Sequence, residues 1–104
     1  MDTHSESYYA VIFTSIRTEI EDGYSEMAQR MEALARVQDG FLGFESARDT
    51  LGITVSYWKS LEAIKQWKAN AEHLEAQSMG QSSWYRWYRT RICKVERDYA
   101  FGTP

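Results

Sequence analysis

From Tyr8 to Ile16 the run YYAVIFTSI is apolar, aromatic or β-branched at almost every position. A strand with one wet face alternates apolar with polar residues, so this run predicts a strand covered on both faces. The period then changes. Tyr24, Met27, Met31 and Leu34 recur at three- and four-residue spacing, with Ile20 and Gln38 in register at the two ends, while Glu26, Arg30, Glu32 and Arg36 fall off the stripe. That pattern predicts an amphipathic helix from about residue 20 to about residue 38, stopped by Asp39-Gly40 in the left-handed manner helix ends favour.

Phe41 to Arg48 and Ile53 to Lys59 are short strand-like runs separated by Asp49-Thr50-Leu51-Gly52, a turn-sized gap that predicts an antiparallel hairpin. Ser60 is placed to cap the next helix, directing Leu61, Ile64 and Trp67 toward the sheet. Asn70 is expected to cap a second, short helix with Leu74 on its inner side and Gly80 as its terminator. Trp84 to Phe101 reads as one long strand, bulged because its aromatics occur in both phases. This order of elements is the split βαβ, ferredoxin-like α+β fold: a four-stranded antiparallel sheet with helices on one face.

The other sheet face would be bare. Tyr9, Val11 and Phe13 in one phase, and Ala10 and Ile12 in the other, are too apolar for either side of the first strand to meet water. Even about 14 residues of the last strand would extend roughly 45 Å or more at about 3.3 Å per residue, so its overhang also needs a partner. A homodimer is therefore expected, with the bare faces packed together and the terminal strands exchanged across a two-fold axis, a dimeric α/β barrel.

At 104 residues, 43% hydrophobic and 26% charged, the chain has apolar material for one core. Residues 1–7 are expected to be a disordered tail and residues 8–101 the folded domain. A formal net charge of −3 argues against a nucleic-acid partner, and the cations between Arg86 and Arg97 fall on both faces of their strand rather than forming a patch. Cys93 is the sole cysteine, which excludes an internal disulfide and suits a reducing compartment. With no signal-peptide pattern and no long apolar run, a cytoplasmic protein with no membrane partner is expected.

The candidate chemistry lies in Thr54 to His73, where a β-branched strand runs through Ser60 into a helix and carries two indoles. Trp58, Ser56 and Thr54 share one phase of that strand and would line a cavity beneath the helices; Tyr57 points the other way. Ile64 and Trp67 would roof it, so that the indoles hold a flat aromatic ligand and orient it by N–H donation. Plain core packing is the competing explanation for each indole. Imidazole is the side chain suited to proton transfer near neutral pH, so His73 is the candidate base, with a surface histidine as the alternative. His4, His73 and one distant cysteine cannot assemble a structural zinc site, and GxGxxG, GxxxxGK[ST] and GxSxG are absent.

The topology, the run Tyr57-Trp58-Lys59-Ser60-Leu61-Glu62-Ala63, the following Trp67 and the closing WYRWYRTRICKVERDYAF resemble the antibiotic biosynthesis monooxygenase family of dimeric α+β barrels, over about residues 8 to 101. The resemblance implies two chemistries. In the cofactor-independent branch, which oxidises polycyclic phenols to quinones with O₂, a Trp stands just before the helix, and Trp58 matches it. The Asn and Tyr that accompany it fall at Thr54 and Ile64 here. In the haem-degrading branch the porphyrin-facing Trp matches Trp67, but the axial His position is Gln77, and the Asn of its first strand is missing, Asn70 being the only asparagine.

The expectation is thus a cofactor-independent monooxygenase acting with O₂ on a small aromatic, phenolic or polyketide-like substrate, with Trp58 and His73 as catalytic residues and Thr54, Ser56, Ile64 and Trp67 binding substrate. No cofactor and no metal are expected, haem being the weaker reading. The alternative is a non-catalytic dimeric module that binds a small aromatic or serves as a scaffold.

Overall fold

A computed structural model of the chain describes residues 7–76 and 84–104. Its elements are β1 (Tyr8–Arg17), α1 (Tyr24–Arg36), β2 (Phe41–Arg48), β3 (Gly52–Trp58), α2 (Leu61–Ala76) and β4 (Tyr85–Val95). The strands pair antiparallel in the order β2-β3-β1-β4, with both helices on one face, which is the ferredoxin-like α+β arrangement expected from the pattern. β1 is central, so its uninterrupted apolar run has neighbours on both edges as well as helices above. Its register places Tyr9, Val11, Phe13 and Ser15 beside Trp58, Ser56, Thr54 and Gly52 on the helix face, and Ala10 and Ile12 beside Tyr57 and Val55 on the other. No described helix is long and apolar enough to cross a membrane.

The core is concentrated at one end of the sheet. Val11, Ala35, Trp58, Ala63 and Ile64 form it, with Tyr9, Phe41 and Trp67 packed around them. Small residues set the close approach there: a Cβ built on Gly40, whose φ is +84°, would stand 2.7 Å from the Cβ of Ala63. Ser60 caps α2 as expected, its Oγ accepting from the Ala63 N–H at 3.1 Å. Along α1 only Ala35, near the C-terminal end, is buried, while Tyr24, Met27 and Met31 of the same stripe are half-buried. The helix is pinned at one end and stands off the sheet at the other.

Four local expectations change. α1 begins at Tyr24 rather than near residue 20, because Gly23 takes a left-handed φ of 79° and the Arg17 guanidinium occupies the Ile20 carbonyl at 2.6 Å; Ile20 is exposed. α2 is continuous through Asn70, whose amide donates to Gln38 Oε1 at 3.1 Å and ties the two helices together instead of capping a new one. The expected terminator Gly80 lies outside the described residues. Leu61 faces solvent, and Ala63 takes the inner position.

β4 is the fourth change. It has 11 residues and stops at Val95, opposite Tyr8, the first residue of β1, so among the described residues β4 does not overhang β1 at that end. The expected bulge is present: Ile16 faces Trp87 but Arg17 faces Tyr85, leaving Arg86 as the extra residue. Tyr85 and Tyr88 thereby share a face and converge on Phe13, with ring centroids 5.5 and 5.4 Å away. Beyond β4 the Tyr8 hydroxyl donates to Asp98 at 2.5 Å, and that hydrogen bond, with burial second, pushes the phenol up to about 12.

Candidate functional site

With α1 buried only near its C-terminal end, a cavity of about 660 Å³ opens between the helices and the sheet. That is the size and composition of a small-molecule site. Val11, Phe13, Ser56, Thr54, Phe44 and Ile92 contribute to its floor, Met27 and Met31 its α1 side, Ile64, Trp67 and Ala71 its α2 side. Thr54 and Ser56 are presented because they alternate with Val55 on β3, and Ser46 stands beside Thr54 across the β2 pairing.

The two indoles stack at 5.1 Å between centroids with 29° between planes, but they have different roles. Trp58 is fully buried behind the wall and is not among the lining residues. Its N–H donates to Ser56 Oγ at 2.8 Å. A hydroxyl that accepts there must aim its own proton elsewhere, so Trp58 fixes the rotor of a cavity-lining serine. Trp67 lines the cavity, and its N–H is buried with no hydrogen-bond partner among the described residues. A buried donor left unmade costs about 1–3 kcal/mol, which a ligand oxygen would recover.

The structure therefore brings Thr54, Ser56, Ile64 and Trp67 together in one cavity wall, places Trp58 directly behind them, and leaves His73 outside. His73 is exposed on α2. The neighbouring Glu72 does line the cavity, as do Glu32 and Lys68. No cluster of three metal-binding side chains occurs among the described residues.

At the far end of the cavity from the core lie groups that sequence reasoning missed. Arg48 lines this end, and its guanidinium donates to Ser15 Oγ and, at 3.5 Å, to the Ser15 carbonyl. Tyr24 and Tyr85 stand nearby with ring centroids 5.9 Å apart. Burial and a hydrogen bond with Tyr24 push the Tyr85 phenol well above its ordinary value, against the opposing pull of Arg48 and Arg17, so it stays protonated and polar. The signal for Arg48 was available, since it follows Phe44 and Ser46 in the same strand phase. In the sequence it marks only the end of the Phe41 to Arg48 run.

Comparison with known proteins agrees with this fold. The profile of the antibiotic biosynthesis monooxygenase family matches residues 7–79. The uncharacterized protein YqjZ of Bacillus subtilis (strain 168) is 50% identical over 101 residues, covering 95% of this chain and 89% of that protein. Among solved structures, SnoaB of Streptomyces nogalater, a cofactor-independent oxygenase, superposes with a TM-score of 0.69 at 10% identity, over 90% of this chain and 97% of that one. MhuD, solved with two manganese protoporphyrins per active site, gives a TM-score of 0.66 at 17% identity, over 89% and 99%. At such identities the superpositions speak for the fold alone. The family match over most of the domain, joined to this fold and cavity, establishes that the chain belongs to the antibiotic biosynthesis monooxygenase family.

Proposed function

We propose that the protein is a cofactor-independent monooxygenase that oxidises a small, flat, phenolic aromatic with O₂. The observation that carries this reading is the cavity: an apolar slot whose floor presents the hydroxyls of Thr54 and Ser56 and whose wall holds the unsatisfied Trp67 N–H. In such chemistry an electron-rich phenolate reduces O₂ directly; one oxygen atom enters the ring to give a quinone and the other leaves as water. The protein supplies orientation, a base and dryness. Trp67 donates to a substrate oxygen, Ser56 is aimed by Trp58, and Glu72 is the carboxylate in the α2 wall that accepts the phenol proton. His73 is exposed beside it and is not among the lining residues, so it is the second choice.

Haem suits the cavity less well. Its described lining has no imidazole and no thiol, and Gln77, at the axial position of the haem-degrading relatives, lies outside the described residues. The second reading is a homodimeric module that binds a small aromatic without turning it over, and the engagement of the Trp58 N–H by Ser56 favours it. Oxygen uptake with a panel of hydroquinones and phenols separates the two. Uptake that saturates with substrate and falls about tenfold or more in Glu72→Gln is expected. Binding across the panel without any uptake would leave the module.

A further inference from the structure

The polar end of the cavity is built around one arginine. We propose that Arg48 anchors a carboxylate on the ligand, so that the substrate class is a fused-ring aromatic acid rather than a neutral phenol; this rests on the aromatic-binding reading above. Three observations converge. First, the guanidinium has a seat: Gly52 faces Arg48 across the β2–β3 pairing, and a Cβ at residue 52 would collide with the guanidinium lying over it. Gly52 has no left-handed φ, so its missing side chain is explained by that seat and not by backbone conformation.

Second, the seat holds the guanidinium without neutralising it. Its hydrogen-bond partners are the hydroxyl and carbonyl of Ser15, a fully buried residue. No carboxylate pairs with Arg48 among the described residues, whereas Arg17 pairs with Glu21 at 3.3 Å and Arg36 with Glu32 at 2.8 Å. Arg17 is further occupied by the carbonyls of Ile20 and Trp84 and lies 3.3 Å over the Tyr24 ring. Arg48 thus presents an uncompensated cation with spare N–H donors, in the planar fork that matches a carboxylate, and it remains exposed enough for a ligand to reach.

Third, the spacing separates recognition from chemistry. Ser56, beneath the indoles, and Gly52, beneath the guanidinium, are four residues apart on β3, about 13 Å at about 3.3 Å per residue. Thr54 and Phe13 occupy the floor between them. A ligand whose ring lies against Trp67 and Ser56 reaches Arg48 only if it is an extended fused-ring system carrying its acid at the distal edge.

The test is calorimetric titration of the whole protein with a hydroxynaphthoic acid and with its primary amide, which has the same rings and no charge. The parent should bind the acid about tenfold or more tightly than the amide, with the acid's affinity falling as salt rises. Arg48→Gln should abolish that preference while leaving amide affinity within about twofold, and circular dichroism should show the fold retained. Gly52→Ala keeps the charge but removes its seat, so it should also erase most of the preference. Equal binding of acid and amide by the parent, or equal weakening of both in Arg48→Gln, would overturn the proposal while leaving the aromatic-binding reading intact. Failure of acid and amide alike to bind would overturn both.

Discussion

Trp58 and Trp67 touch, yet their N–H groups have opposite fates, and substitution should expose the difference. Trp58→Phe removes a buried donor, strands the Ser56 oxygen and shrinks a side chain with no exposed surface; a loss of about 1–3 kcal/mol is expected. Trp67→Phe removes a donor that has no partner, so its effect on stability should be smaller while ligand affinity falls. Urea unfolding of the two variants compares them directly, and a Trp67→Phe protein less stable than Trp58→Phe would contradict this assignment. The phase of Thr54, Ser56 and Trp58 was legible in the alternation of β3. Which indole N–H is spoken for was not, because that depends on a rotamer two residues away and on where the neighbouring helix lies.

Among the elements, the helix ends show where pattern and backbone part company. The α1 stripe extends in period to Ile20, but periodicity records side chains, and it is the left-handed Gly23 that starts the helix. Asn70 has cap chemistry and sits in a helix interior, where tertiary contact with Gln38 outweighs its local preference. Gly40 and Gly23 both have positive φ, so alanine strains each, but only at Gly40 does the new Cβ meet another Cβ head-on, at 2.7 Å against Ala63. Gly23→Ala meets only the Trp84 ring edge at 3.4 Å. Losses of about 1 kcal/mol for Gly23→Ala and about 3 kcal/mol for Gly40→Ala are expected in thermal or chemical unfolding. Equal losses would mean that the α2 start yields freely.

For the whole molecule, element order and strand phase carried the ferredoxin-like architecture, whereas the cavity was legible only as a possibility of paired indoles. Its volume depends on how both helices sit over the sheet, and no residue encodes that alone. The case for a homodimer now rests on the bare face and no longer on strand length, since β4 ends with its partner. Ile53 is 42% and Trp87 40% exposed on that face, and Phe101 of the C-terminal segment is wholly exposed. Sedimentation at low micromolar concentration should give twice the chain mass, and Trp87→Glu should shift it toward one; a parent protein that sediments as a monomer would remove the dimer from this account. The stacked indoles carry one more consequence. One belongs to the sheet and the other to α2, and their planes are skewed by 29° at a centroid separation of 5.1 Å. Chromophores so close and so skewed share their excitation, which gives the pair a handed optical couplet that neither indole has alone, so the protein contains a spectroscopic gauge of whether the lid is seated on its floor.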